Sequence, residues 1–326
     1  MKKIVSFFGK DNKTFACLNR QAKEYARSKG LDFEWSIQEP YCAEDVIARL
    51  QDADAGIIDI EPYGENIFPH ICHRTKLLVR FGVGYDKVDL GAASKYGIAI
   101  ARTTGANTMG VAEMTVTLML AARRELNFNQ SVAASGSWGR RSISNETVGG
   151  TIGIVGFGAV GQAVARLVSG FGCRVLVYNP RPKPEAEALG AEQTNLETLF
   201  SQADAISINA AYNEASHHLV NARLLGLMKP EAVIVNTSRG AIIDDEALYD
   251  ALVNHRIRGA ALDVFAQEPF PADCKYLGLD NVILTPHVAS QTMESLWRIY
   301  AKAIDITADF FAGRPVKDIL NPDYNT

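Results

Sequence analysis

The sequence predicts an α/β protein with two doubly wound parallel sheets, and three observations carry that prediction. Short apolar runs alternate with amphipathic segments from end to end, as strand–helix–strand units require. The runs are apolar at successive positions rather than every second one, the pattern of strands covered by helices on both faces. One run, 151–155, leads directly into Gly156-Phe-Gly158-Ala159-Val160-Gly161 and then into a helical pattern, so a glycine-rich turn joins a strand to a helix.

The bulk properties bound the answer. A chain of 326 residues is long enough for two cores, and its 47% hydrophobic and 21% charged residues are those of an ordinary globular protein. A net charge of −4 and a pI near 5.9 give no general attraction for nucleic acid or an anionic membrane. No run approaches the roughly 18 apolar residues of a membrane span, and the apolar part of the N-terminus is too short for a signal peptide. The five cysteines, at 17, 42, 72, 173 and 274, are scattered and lack a Cys-x-x-Cys pair. Neither a disulfide framework nor a metal site is implied, and a cytoplasmic location is expected.

In order along the chain, strands are expected at 3–8, 33–37, 55–60, 77–81 and 98–101, with amphipathic helices over 12–29 and 43–50. The segment 108–126 is apolar on nearly every face, which predicts a helix buried at a domain junction or against a second copy in a homodimer. A second series of six strands follows at 151–155, 174–178, 205–210, 232–238, 259–264 and 282–285. Asn195, Asn221 and Asp244 stand where helix N-caps are needed between them. A domain of residues 102–290 is thus expected to be inserted into one made of 1–101 and 291–326. No internal repeat is evident, and the polar tail from Gly313 is expected to pack back on the first domain.

The glycine turn points to a dinucleotide. Gly156 permits the tight turn, Gly158 lets backbone approach a pyrophosphate, and Gly161 lets helix and strand pack closely. Ala159 and Val160 open a helix whose free N–H groups and dipole favour phosphate. About twenty residues on, a carboxylate would hold the 2′-hydroxyl of NAD. The chain has Asn179 there, followed by Arg181 and Lys183. An amide and two cations suit a 2′-phosphate, so NADP(H) is favoured slightly over NAD(H).

Three polar residues close three successive apolar runs: Arg239, Glu268 and His287. Each falls at or just beyond the carboxyl end of an expected strand, the edge where open α/β sheets bind ligands. A cation, a carboxylate and an imidazole there suit an anionic substrate and a proton transfer. His70, His73, His217, His218 and His255 have no such setting.

These motifs, together with Asn236-Thr237-Ser238-Arg239-Gly240, Leu262-Asp263-Val264, Thr285-Pro286-His287 and Arg80-Phe81-Gly82-Val83-Gly84, resemble the D-2-hydroxyacid dehydrogenases over nearly the whole chain. That family includes phosphoglycerate dehydrogenases and glyoxylate/hydroxypyruvate reductases. The resemblance implies hydride transfer between NAD(P)H and a small 2-keto or D-2-hydroxy acid. It implies that Arg239 binds the substrate carboxylate, that His287 is the general acid or base, and that Glu268 orients it and favours the imidazolium. Asp263 is expected to face the nicotinamide and Thr237 to touch the cofactor, and the N–H groups of Val83 and Gly84 to take the carboxylate.

Two departures stand out. Where related phosphoglycerate dehydrogenases carry cations, this chain has Ile58-Asp59-Ile60-Glu61-Pro62-Tyr63, which disfavours 3-phosphoglycerate; Arg140 and Arg141 are the nearest cationic pair in sequence. Asn209 and Ala211 stand where the family often has His and Pro. The alternative reading is a non-catalytic, nucleotide-sensing interaction protein, like the corepressors that resemble the same family.

Overall fold

The computed structural model describes residues 1–36, 41–138 and 143–325, so Ile37, Arg140 and Arg141 lie outside the described residues. The chain divides into two compact units, Met1–Asn107 with Thr292–Thr326, and Thr108–Gln291. These boundaries fall slightly further along the chain than the sequence pattern places them.

The first unit holds five parallel strands: β1 (Lys2–Ser6), β2 (Leu31–Trp35), β3 (Ala55–Ile58), β4 (Leu77–Arg80) and β5 (Ala99–Arg102), in the order β2-β1-β3-β4-β5. One face, with Ile4, Ile57, Leu77, Val79 and Ala99, packs with apolar residues of the helices Lys13–Ser28 and Met293–Phe311. The other, with Val5, Ile58, Leu78 and Ile100, packs with residues of the helices Ala43–Gln51 and Phe68–Ile71. Burial on both faces is what the continuous apolar runs require. The helix Met293–Phe311 starts at Thr292, whose side chain accepts the Ser295 N–H, and it buries Leu296, Ile299, Tyr300, Ala303 and Ile304. At ~1.5–3 kcal/mol for each large apolar side chain, that face contributes substantially to the first core. The tail packs back as expected: the Leu320 N–H donates to the Ile100 carbonyl, and the Asn321 side chain accepts the Ile100 N–H.

The second unit holds seven parallel strands rather than six. They are β6 (Thr151–Val155), β7 (Arg174–Tyr178), β8 (Ala191–Gln193), β9 (Ala205–Ile208), β10 (Val233–Asn236), β11 (Gly259–Leu262) and β12 (Val282–Leu284), ordered β12-β11-β10-β9-β6-β7-β8. The unexpected strand, β8, is a three-residue edge strand with two exposed polar residues, so it offers no apolar run to read. The caps form as the sequence implies: Asn195, Asn221 and Asp244 accept from the N–H groups of Thr198, Leu224 and Ala247.

The segment 108–126 is a correction. It is a helix only over Thr108–Arg123; Glu125 turns left-handed at φ 48°, and a new helix runs over Leu126–Ala134. The break coincides with long-range polar contacts. Glu125 pairs with Arg258 at 2.8 Å, and Arg123 donates to the carbonyls of Asp204 and Glu146. Nor is this helix buried all round. Val111, Ala112, Thr115, Leu118, Met119 and Ala122 form one buried face, while Glu113 and Thr117 are exposed.

Candidate active site

The site residues of the second unit stand at the carboxyl edge of its sheet, and hydrogen bonds fix each of them. β10 ends at Asn236, whose amide donates from Nδ2 to the Arg239 carbonyl (2.9 Å) and accepts the Ser238 N–H (3.0 Å). This clasp closes the turn that presents Arg239. Gly240 follows because nothing larger fits: a Cβ there would stand 2.0 Å from the Phe265 carbonyl carbon. The absence of a side chain thereby lets the Arg239 turn lie against the loop that carries Glu268.

Glu268 makes two bonds with different purposes. Oε1 accepts the Phe265 N–H at 2.9 Å, which holds the carboxylate to its own loop. Oε2 meets His287 Nδ1 at 2.7 Å. Burial pushes the Glu268 carboxyl up, but the hydrogen bonds from His287 and Phe265 and the charges of His287 and Arg239 outweigh it, so it sits below its ordinary value. The carboxylate therefore stays ionised and accepts the Nδ1 proton, leaving Nε2 as the imidazole atom open to proton exchange.

His287 is left-handed at φ 53°, a conformation that costs a side-chain-bearing residue about 1–2 kcal/mol. Asp263 holds it there. The Asp263 carbonyl accepts the His287 N–H at 2.9 Å. Its fully buried carboxylate accepts from the Thr285 hydroxyl (2.6 Å) and from the N–H groups of Val288 and Ala289 (2.9 Å each). Both carboxylate oxygens are thus engaged by the loop that carries the imidazole.

The glycine turn has the shape that a pyrophosphate requires. A Cβ on Gly156 would stand 2.5 Å from the Ala210 nitrogen, and one on Gly161 would stand 2.2 Å from the Gly156 carbonyl oxygen. A Cβ on Gly158 would project into open space, where a ligand has to approach the backbone. The helix Ala159–Ser169 begins there without a side-chain cap, so its first N–H groups and dipole face outward. These residues fit a dinucleotide cofactor. Asn179 braces the turn from the end of β7, accepting the Phe157 N–H (3.1 Å) and donating to the Arg181 carbonyl (2.8 Å). The Arg181 side chain is exposed. Thr237 is buried, and its hydroxyl lies 2.7 Å from that of Thr115 on the helix Thr108–Arg123.

In the first unit, β4 runs into Phe81-Gly82-Val83-Gly84. Gly82, at φ 124°, is locked to Thr103: its N–H donates to Thr103 Oγ1 (2.9 Å) and its carbonyl accepts the Thr103 N–H (3.0 Å). Among the described residues, the N–H groups of Val83 and Gly84 have no acceptor. Arg80 turns back to pair with Asp59 at 3.3 Å and to donate to the Phe81 carbonyl. The polar anchors Asn236 and Thr103 were not identified from sequence. Their signal was present, since each is a hydrogen-bonding residue at or just past the end of an apolar strand.

Known proteins resemble the chain over most of its length. Residues 116–289 match the family described as D-isomer specific 2-hydroxyacid dehydrogenase, NAD binding domain. The chain is 33% identical over 296 residues to a glyoxylate reductase of Korarchaeum cryptofilum, covering 89% of each protein. It is 38% identical over 234 residues to a hydroxypyruvate reductase of Thermotoga maritima, covering 71% of this chain and 76% of the relative. Among solved structures, the TT0316 protein of Thermus thermophilus superposes with a TM-score of 0.86 at 29% identity, covering 98% of this chain and 99% of that one. With the matching family covering more than half of the chain and these relatives most of it, the protein belongs to the D-isomer specific 2-hydroxyacid dehydrogenase family.

Proposed function

We propose that the protein reduces a small 2-keto acid to the D-2-hydroxy acid, with His287 as the proton donor and Arg239 as the carboxylate clamp. The observation that carries this reading is the Glu268–His287 pair at 2.7 Å, with Glu268 anchored by the Phe265 N–H and both residues at the sheet edge that bears the glycine turn. A bound reduced nicotinamide supplies the hydride to the keto carbon. His287 Nε2 delivers a proton to the keto oxygen as the alcohol forms. Glu268 stabilises the imidazolium before transfer, and Asp263 acts as a positioning residue for the His287 turn. The Arg239 guanidinium matches the two carboxylate oxygens and draws density from the adjacent carbonyl. The N–H groups of Val83 and Gly84 supply further donors for the carboxylate.

NADP(H) is slightly favoured as the cofactor. Asn179 places no negative charge at the end of β7, and Arg181 is exposed two residues beyond it. An acyclic imino acid reductase solved with NADPH and D-Arg superposes at a TM-score of 0.82 and 27% identity, covering 98% of this chain and 99% of that one, which supports a phosphorylated cofactor on this fold. A homodimer is also proposed. Leu126, Trp138 and Ile143 are exposed beyond the helix Thr108–Arg123, and Trp138 is 97% exposed. No helix among the described residues is long and apolar enough to cross a membrane; a cytoplasmic location is part of the proposal.

The test is oxidation of NADPH and NADH with a panel of 2-keto acids. Turnover lost in His287→Ala supports the reading, and no turnover with any 2-keto acid refutes it. Arg181→Ala is expected to raise the KM for NADPH more than that for NADH; equal effects reject the cofactor preference.

A further inference from the structure

Glu268 rides on a segment that the rest of the second unit holds at few points. Among the described residues, the segment 264–279 hydrogen-bonds to the rest of the unit only through the side chains of Glu268, Lys275 and Tyr276, apart from the Leu279 carbonyl at its end, which accepts the Val282 N–H at 3.4 Å. Tyr276 belongs to the buried core, and Phe265 and Cys274 pack against it. Where the segment lies against the Arg239 turn, Gly240 and Phe265 are in close contact. Beside them a small cavity opens, and its lining includes Asn236, Gly240, Asp245, Phe265, Ala266 and Tyr276. Apolar packing with a gap in it fixes a separation less firmly than a close-packed face does.

Polar bonds span that gap. The Tyr276 hydroxyl donates to Asp245 Oδ1 at 2.7 Å and lies 3.1 Å from the Asp245 carbonyl oxygen. Asp245 Oδ2 meets Lys275 Nζ at 2.6 Å, and the same ammonium reaches Glu246 Oε1 at 2.7 Å. Asp245 and Glu246 open the helix Asp245–Val253, which follows Arg239 after a single 3₁₀ turn, Gly240–Ile242. The latch therefore joins the helix that follows Arg239 to the segment that carries Glu268. Packing alone does not call for the hydroxyl. A phenylalanine would fill the same core position with no polar group to satisfy, whereas a buried hydroxyl demands a partner. Burial and the Asp245 carboxylate push the Tyr276 phenol up, so it stays a proton donor.

We propose that Tyr276, bonded to Asp245, is a positioning residue for Glu268: the latch fixes the segment so that the carboxylate stays within 2.7 Å of His287 Nδ1. This rests on the reduction reading above and adds to it a residue that touches neither substrate nor cofactor. The Arg239 turn has its own clasp in Asn236, so cutting the latch loosens the Glu268 side alone. The proton-transfer step then suffers, while the grip on the substrate carboxylate is kept.

The test is Tyr276→Phe in the full chain, with the best keto acid and cofactor of the panel above. A misplacement of about 1 Å can cost on the order of 10²-fold in rate, and a loosened segment less than that. We expect kcat to fall about threefold to tenfold, with the keto-acid KM held within about twofold. Asp245→Ala is expected to do the same, and the double variant no worse than either, because one interaction is lost in all three. Asp245→Asn, which keeps an acceptor for the hydroxyl, is expected to lose less than Asp245→Ala. A second readout needs no turnover. The downfield proton NMR resonance of His287 Nδ1–H, identified by its absence in His287→Ala, is expected to move or broaden in Tyr276→Phe. A lower melting temperature with kcat and the resonance unchanged makes the latch purely structural and overturns the proposal. Should Tyr276→Phe fail to fold, Asp245→Ala carries the same two readouts. No turnover in the wild type overturns the reduction reading itself, while the resonance still decides the positioning role.

Discussion

The two units wind their chains in the same way and use the result differently. In the second sheet, β7-β6-β9-β10-β11 repeats the order β2-β1-β3-β4-β5 of the first, with β8 and β12 added at the edges. Even the entries to the matching strands β3 and β9 repeat, as Ala53-Asp54-Ala55 and Ala203-Asp204-Ala205. Asp54 and Lys3 exchange backbone and side-chain bonds at 2.9 Å, and Asp204 and Thr151 do so at 2.7 Å. Each carboxylate is also paired with cations, Asp54 with Lys2 and Arg74, Asp204 with Lys229. The amino edges are thus built alike for stability.

The carboxyl edges differ. The fourth strand of the first sheet ends in Arg80, turned inward to Asp59, and then in a loop of free N–H groups. Its counterpart in the second sheet, β10, ends in the Asn236 clasp that presents Arg239. The same winding leaves a loop with unpaired N–H groups at one carboxyl edge and a clasped arginine with a Glu–His pair at the other. Chemistry sits where the strands end, and the frame where they begin.

The sharpest way to break this contrast is to remove chemistry without touching the frame. His287→Ala is expected to lower kcat by about 10²–10⁴, the usual contribution of a general acid, with an unchanged melting temperature within a few degrees. A loss of folding in parallel with activity would mean that the edge is structural. Arg239→Lys keeps the charge but loses the planar fork. Steady-state kinetics should show kcat/KM for the keto acid falling about 10- to 100-fold, the range for losing a charge-assisted bond of roughly 1.5–3 kcal/mol.

The converse change removes frame without chemistry. Asp54→Asn and Asp204→Asn are each expected to destabilise their own unit by roughly 1–3 kcal/mol in urea melts at neutral pH, with Michaelis constants retained. Asp54 is expected to cost more, because its side chain is 5% exposed against 26% for Asp204. Burial pushes both carboxyls up, but their hydrogen bonds and cationic partners hold them below the ordinary value. Such a group stabilises the fold fully above its unfolded pKa, and this stabilisation is lost as pH falls through the depressed folded value. The wild-type advantage over both Asn variants should therefore shrink in acid; an advantage that grows would reverse the sign of the argument. The smallest effect is expected from Thr103→Val, which unlocks Gly82. A rise of roughly threefold to tenfold in the keto-acid KM, with kcat retained, would mark it as a positioning residue for the loop rather than a packing residue.

The sequence made this contrast partly legible. Arg239, Glu268 and His287 were visible because a polar residue after an apolar run is conspicuous, and β6 and β7 were bounded correctly because glycine and asparagine punctuate them. The ends of β1, β3 and β4 were overrun because Phe7, Phe8, Ile60 and Phe81 continue the apolar pattern after the ladder has stopped. The break at Glu125 was hidden because its partner, Arg258, lies more than a hundred residues away. The anchoring of His287 by Asp263 was missed for a related reason: a local pattern identifies a carboxylate at a strand end but not which donors will surround it. The topological repeat was invisible in residue identities, apart from three letters, since many apolar residues satisfy the same winding.

The helix Met293–Phe311 gives the protein an order of assembly. Its buried face, with Leu296, Ile299, Tyr300, Ala303 and Ile304, belongs to the core of the first unit, yet the ribosome makes it only after the whole second unit. Until then that side of the nascent first sheet, with Ile4, Ile57, Leu77 and Val79, has the helix Lys13–Ser28 over it but lacks its second covering helix. The inserted unit has all its strands in hand by residue 284 and no such debt to the C-terminus. Domains fold as units during synthesis, usually from the N-terminus. Here the order is inverted: the first unit to be translated is the last to be completed.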